Sequence, residues 1–356
     1  MAQKAKIGAG QLFSLLFICR MLTTVTFSPA LGDGYLDGNF FINILFACFF
    51  IIFLCVPSAL FAGRFKTEDP VSVLEEKSKS LSASLALFYS FVFLFFASVS
   101  VSRFFIFLTS VIFPEKNMNI LLVISVLLCA YCAFLGIEAI ARGNALLLVI
   151  TLTGTAVILF FVSKDFDIYN LEPPFYESFS SSLKSALWAA GRTVEASAFL
   201  FLFKMTNGKI KKGFFICLSS FFVSLSLLFL FLNGVSGEFA KTQLFPFYSL
   251  AVIASFPFFE RLDAVATAVW IFSILIKCSL FLFISGEIIS HSFKMKRKTA
   301  LLICFAVISI ASLLFSVNLS VHRAVSSSLI TGTLTVLSAF IVPSILLITR
   351  GRRREI

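Results

Sequence analysis

Charge is scarce in this chain. Only 13% of its 356 residues are charged, and acids are the rarer sign, with 18 Asp and Glu against 29 Lys and Arg. So little charge leaves too little polar surface to solvate a globular domain of this length, which excludes the soluble classes. Histidine is rarer still: His291 and His322 stand alone near the ends of apolar runs. No H-E-x-x-H pair, Walker loop or nucleophile elbow occurs, so nothing points to a metallo- or hydrolytic enzyme, and no metal or cofactor is expected. The eight cysteines (Cys19, Cys48, Cys55, Cys129, Cys132, Cys217, Cys278 and Cys304) all lie inside apolar runs, where they act as small hydrophobes and imply no disulfide framework. Cys129 and Cys132 form C-x-x-C, but their apolar flanks, LLVISVLL and AFLGIEA, favour packing over metal or redox chemistry.

Hydrophobic residues make up 59% of the chain, and its mean hydropathy is +1.01. A bilayer core of roughly 30 Å takes about 20 helical residues. The apolar runs separate into ten such segments near 11–31, 39–62, 82–113, 118–140, 144–163, 183–204, 213–235, 259–288, 299–317 and 327–349. This predicts an all-α polytopic protein with a single membrane domain over 1–356. No cleavable signal pattern precedes the first run, so it is counted as a retained span. The stretch 238–257, broken by Pro246 and Pro257, reads as a short helix at the membrane interface. The 48 phenylalanines, spread over every span, read as lipid-facing bulk.

Orientation follows from the basic residues. With a cytoplasmic N-terminus, Lys and Arg concentrate in the inside segments, and the outside ones hold only Lys116, Lys164, Lys184, Lys241 and Arg323. Both termini are then cytoplasmic. The basic tail over 350–356 serves as a stop and a lipid-headgroup anchor, and the net charge of +11 needs no nucleic-acid partner.

Ionisable groups inside spans mark candidate function, because burying one in a bilayer costs several kcal/mol unless it is paired or faces a watery cavity. Span eight carries Glu260, Arg261 and Asp263 at its head and Lys277 near its middle. The head can be solvated or pair with the preceding loop; Lys277 must pair or lose its proton. Ten spans with polar interruptions suggest two five-helix repeats, 11–163 and 183–349, whose first helices are broken at the substrate site. Span one places Arg20 about ten residues in, followed by Thr23 and Thr24. Span six places Arg192 at matching depth, preceded by Gly191 and followed by Thr193 and Glu195. Two roles stay open for this group. It can line a pocket in which an arginine and freed amides hold a carboxylate while carbonyls, threonine hydroxyls or Glu195 meet an ammonium; or Arg20, Arg192 and Glu195 can form a buried ion network without a ligand. Arg103, with Ser98, Ser100 and Ser102, reads mainly as a packing face of span three. Glu138 and Arg142, at i and i+4, read as a solvated pair at the cytoplasmic end of span four.

Several segments, in this order, resemble the GerAB-type spore germination permeases of the amino acid–polyamine–organocation superfamily. They are GQLFSLLFICR, YCAFLGIEAIARGNALLL, DIYNLEPPF, FFERLDAVATAVWIFSILIK and VPSILLITRGRRR. The resemblance spans nearly the whole chain. It implies a leucine-transporter-like fold of two inverted repeats, with an amino acid bound between spans one, three, six and eight. It also implies an A-subunit and a lipoprotein C-subunit as partners in a spore inner membrane, where the chain would sense a nutrient. The chain departs from the family pattern after Arg20, where Met21, Leu22, Thr23 and Thr24 stand in place of a glycine that lets the helix unwind. The alternatives carried forward are a cation- or proton-coupled amino-acid permease in a cell membrane and, last, a structural subunit.

Overall fold

Lipid offers no hydrogen bonds, so a spanning backbone must satisfy its own amides and carbonyls, and the apolar runs accordingly become helices. The computed structural model describes residues 7–31, 33, 40–65, 67–114, 119–171, 178–208, 210–254 and 262–349. Eight helices in it are long and apolar enough to cross a membrane, and two further apolar helices, Ala9–Val25 and Asn119–Leu135, have 17 residues each. Each of the ten expected spans corresponds to one of these.

The chain runs α1 (Ala9–Val25), α2 (Phe40–Arg64), a short α3 (Pro70–Glu75), α4 (Lys79–Phe107), α5 (Asn119–Leu135) and α6 (Ile137–Val162). Span six is two helices, α7 (Phe179–Gly191) and α8 (Glu195–Leu202). They are followed by α9 (Ile210–Ser236), α10 (Pro246–Ile253), α11 (Asp263–Ser292) and α12 (Arg297–Phe315). Span ten starts with α13 (Leu319–Val325) and continues as α14 (Ser328–Val336) and α15 (Val342–Thr349). A two-residue parallel pairing of β1 (Ile7–Gly8) with β2 (Thr206–Asn207) puts the start of α1 and the end of α8 at the same end of the bundle.

Span six is the most buried span; next come the unbroken α4 and α11, which pack on each other. Phenylalanine does much of this packing. Phe27, Phe61, Phe93, Phe107, Phe203, Phe229 and Phe281 are among the largest fully buried side chains, which corrects the expectation of mainly lipid-facing bulk. The ring of Phe107 stacks on Trp270 at 4.2 Å and meets Phe245 and Tyr248 edge-on. These contacts seat α10 against α4 and α11, with Pro246, Phe247, Leu250 and Ala251 buried. The Tyr248 hydroxyl donates to Asp263 at 3.1 Å, so this acid at the head of span eight is tied to the preceding segment. Glu260 and Arg261 lie outside the described residues.

Helix ends fall where backbone chemistry requires them. Gly136 has φ +99°, a conformation side chains rarely adopt, and it separates α5 from α6. Glu138 therefore opens span five rather than closing span four, and its exposed pairing with Arg142 is 3.6 Å long. Arg297 donates to the Ala133 and Phe134 carbonyls at the end of α5, where the helical ladder of amides runs out. In span ten a π-helical turn, Leu337–Ile341, precedes Pro343. Proline cannot donate to the carbonyl four residues back, at Ala339, and the Ser58 hydroxyl does so at 2.8 Å instead.

At the end holding β1 and β2, Asp69 caps α3 through the Val71 and Ser72 amides and pairs with Lys204, just beyond α8. Burial works to raise the Asp69 carboxyl, but the Lys204 ammonium and the Ser72 groups outweigh it and hold it below the ordinary carboxylate value. A depressed folded-state value contributes stability that is complete above the unfolded value of about 4 and is lost as pH falls through the folded one. Lys204→Met should therefore lower stability at neutral pH by on the order of 3 kcal/mol. It should also flatten the acid limb of the melting temperature measured in detergent against pH; an acid limb as steep as the wild type's would contradict the assignment.

Candidate functional site

The interruption of span six builds the site. α7 stops at Gly191, Arg192 to Val194 make a tight turn in which the Thr193 amide donates to Ala190, and α8 restarts at Glu195. Breaking a helix leaves bare carbonyls at one end and bare amides at the other, with partial charges of opposite sign. Side chains of both signs answer them. Arg20 of α1 donates from Nη2 to the Ala189 carbonyl at 3.1 Å, a cation at the negative end of α7. Glu195 lies in the first turn of α8, at its positive end.

Span one is interrupted too, but later than the sequence suggests. α1 runs unbroken through Arg20 and Thr24 to Val25, and the chain turns at Thr26 to Ser28 before a 3-10 turn, Pro29–Leu31. The helix does not unwind at Arg20 to Thr24, where the family glycine is missing.

Two buried ion clusters flank the break. In the first, the Lys277 ammonium of α11 reaches Glu195 Oε1 at 3.2 Å, the Cys19 carbonyl at 3.2 Å and the Thr23 hydroxyl at 2.8 Å. In the second, Asp33 receives both Arg103 Nη1 at 2.7 Å and Arg103 Nη2 at 3.0 Å in a two-pronged contact, and pairs with Arg192 as well. The Ser28 amide donates to the same carboxylate at 2.8 Å. Burial alone would raise the Asp33 carboxyl; the two guanidiniums and the Ser28 amide hold it below its ordinary value. The span-ten segment closes over this cluster. Arg192 donates to the Ser326 carbonyl at 2.8 Å, the Ser326 hydroxyl reaches Leu31, Arg323 donates to Ala30, and buried His322 contacts Ser102 at 3.1 Å.

Between the clusters lies a cavity of about 40 Å³ lined by Leu22, Thr23 and Thr26 of span one, Phe96, Val99, Ser100 and Arg103 of span three, Arg192, Lys277 and Thr331. A water takes roughly 10–15 Å³ on this measure, so the space suits a few waters or a small polar group. Of the residues singled out from sequence, Thr23, Arg103, Arg192 and Lys277 line it. Glu195 borders it through Lys277. Thr193 is fully buried, with no partner for its hydroxyl among the described residues. Thr24 does not reach it, because its hydroxyl returns to the Arg20 carbonyl. Arg192 and Glu195 do not pair: the turn between them sends one to Asp33 and the other to Lys277. Arg103, read as part of a packing face, is a central member, and Asp33 is missed by the sequence reading altogether. Asp33 lies in a loop after span one, where no spacing rule links it to an arginine 70 residues on. The one available signal was bookkeeping, since Arg20, Arg103, Arg192 and Lys277 in spans require more acid than Glu195 supplies.

Fold and site together define a polytopic membrane protein of transporter architecture. The chain belongs to the spore germination protein family, whose model matches residues 6–320. Its fold is shared with MhsT, solved with L-phenylalanine, at a TM-score of 0.64 and 14% identity over 98% of this chain and 99% of that one. It is also shared with a Na⁺-coupled sialic acid symporter in a substrate-bound outward-open state, at a TM-score of 0.62 and 12% identity over 99% and 92% of the respective chains. No curated protein matches by sequence.

Gly191 sits at the closest approach of α7 to α14, where an added Cβ would lie 3.0 Å from the Gly332 Cα. Backbone cannot step aside as a side chain can, so Gly191→Val should cost about 1–3 kcal/mol by overpacking. Thermal unfolding should show this as a lowered melting temperature. Gly332→Ala, whose nearest such contact is 3.9 Å, should melt within a degree or two of wild type, on the order expected of an unstrained substitution.

Proposed function

We propose that this chain is the membrane subunit of a spore germinant receptor. On this reading it binds a small amino acid at the break of span six and passes the resulting conformational shift to an A-subunit and a lipoprotein C-subunit. The observation that supports it most is the cavity itself. It lies between spans one, three, six, eight and ten, and Arg103, Arg192 and Lys277, the last paired with Glu195, line it. An amino acid is a zwitterion, and this arrangement offers guanidinium to its carboxylate and carboxylate, hydroxyl and carbonyl oxygens to its ammonium. The family supplies the germination context, and MhsT, with its L-phenylalanine, supplies a precedent for an amino acid in this fold. On this reading the membrane is the spore inner membrane, both termini are cytoplasmic, and the bundle divides into repeats over 11–163 and 183–349. The charge of the loops supports that orientation. Binding favours whichever conformation holds the ligand better, which is how occupancy becomes a signal.

A second reading, a cation- or proton-coupled permease, draws on the buried Lys277–Glu195 pair. Uptake of radiolabelled amino acids into vesicles containing this chain alone separates the two: accumulation driven by a cation gradient supports the permease, and binding without accumulation supports the receptor.

Spores carrying Thr23→Val or Glu195→Gln should need on the order of tenfold more nutrient for half-maximal germination, equivalent to about 1.4 kcal/mol. Thr24→Val should leave the dose response unchanged, because its hydroxyl is engaged within α1. Equal dose responses for all three variants at normal subunit levels would remove the pocket assignment.

A further inference from the structure

Two arginines buried from water, brought from separate spans onto a single carboxylate, form the most specific polar recognition unit in the described part of this chain. Arg103 presents the fork geometry that matches a carboxylate with two parallel hydrogen bonds. Arg192 is aimed at the same oxygens from the break of span six, with its guanidinium over the Trp188 ring at 5.0 Å and its Nη2 also on the Ser326 carbonyl. The carboxylate that fills the fork, Asp33, comes from the loop after span one and is held there by the Ser28 amide.

We propose that Arg103 and Arg192 form a carboxylate-binding site which Asp33 occupies in this structure as a tethered stand-in, and which the carboxylate of the ligand takes over when it displaces Asp33. This rests on the reading that a small amino acid enters the cavity, and it assigns the ligand's anionic end to a particular pair of residues.

Three observations carry it. First, both arginines line the cavity as well as holding Asp33, so a guest in the cavity is already against them. Second, Arg103 Nε and Arg192 Nε are buried and without partners among the described residues, so the guanidiniums retain unused donors beyond those Asp33 engages. Third, the charge around the break is unbalanced. Among the described residues, Arg20, Arg103, Arg192 and Lys277 are buried there against Asp33 and Glu195, so an incoming carboxylate can join the arginines before Asp33 leaves them. Exchange of one carboxylate for another keeps the arginines paired throughout, so it avoids the cost of stranding a buried charge. It also frees the Ser28–Leu31 turn, which contacts span ten through Arg323 and Ser326. Occupancy of the cavity is thereby linked to a movement on the far side of the arginines.

The test uses the purified full-length chain and free carboxylates. Asp33→Ala should melt below wild type. Acetate or propionate should recover most of that loss, while chloride at equal ionic strength and acetamide should not; wild type should be indifferent to all four. Asp33→Asn, which keeps the side-chain shape, should bind radiolabelled propionate and L-alanine on the order of tenfold more tightly than wild type, because the tethered competitor has lost its charge. It serves in both measurements if the alanine variant does not accumulate. Failure of acetate to outperform chloride overturns the site. Recovery by acetate without any gain in propionate or L-alanine affinity overturns the exchange and leaves Asp33 a structural counter-ion. A gain for propionate but not for L-alanine supports the exchange and removes the amino-acid reading instead.

Discussion

A helix broken at membrane depth leaves amides and carbonyls that no water can satisfy, and the centre of this protein is arranged around one such break. The turn between Gly191 and Glu195 creates a negative helix end and a positive one within the bundle core. Arg20 answers the first through the Ala189 carbonyl, and Glu195 stands at the second. Lys277 is then held by Glu195, Thr23 and the Cys19 carbonyl, which ties α11 to both α1 and α8. Charges that would each be costly alone are affordable because each satisfies a need created by another.

The same logic links the site to the ends of the bundle. Arg192 stands beside the break, so whatever holds its guanidinium also fixes where α7 ends. Asp33, itself gripped by Arg103, and the Ser326 carbonyl hold it, and these residues belong to the loop after span one, to span three and to the start of span ten. A change in the occupant of the arginine fork is therefore felt by three elements at once. The close approach of Gly191 to Gly332 permits this assembly, since a side chain at Gly191 would press on the Gly332 backbone.

Much of this was legible in the sequence. Apolar run length located the ten spans, since the bilayer fixes how many helical residues are needed to cross it. Arg192, Glu195 and Lys277 stood out because ionisable residues are rare at such depth, and the glycine before Arg192 marked where span six gives way. Other features were not legible. The helix continues past Arg20 because Met21 to Thr24 are competent helix formers, and nothing local says that it stops at Val25 instead. The inward or outward aim of each phenylalanine is likewise invisible, because an apolar side chain suits a lipid face and a protein core equally well.

The sequence by itself determined the class: an all-α membrane protein of the spore germination family, with more positive than negative charge among its spans. Local composition suffices for that, because transfer into lipid is governed by each residue's own hydropathy. Only the tertiary structure decided which charges meet. Asp33 finds Arg103 and Arg192 across 70 and 159 residues of chain, and Lys277 finds Glu195 rather than an arginine partner. Pairing depends on which helix faces converge at the break, and that is set by how the whole bundle packs.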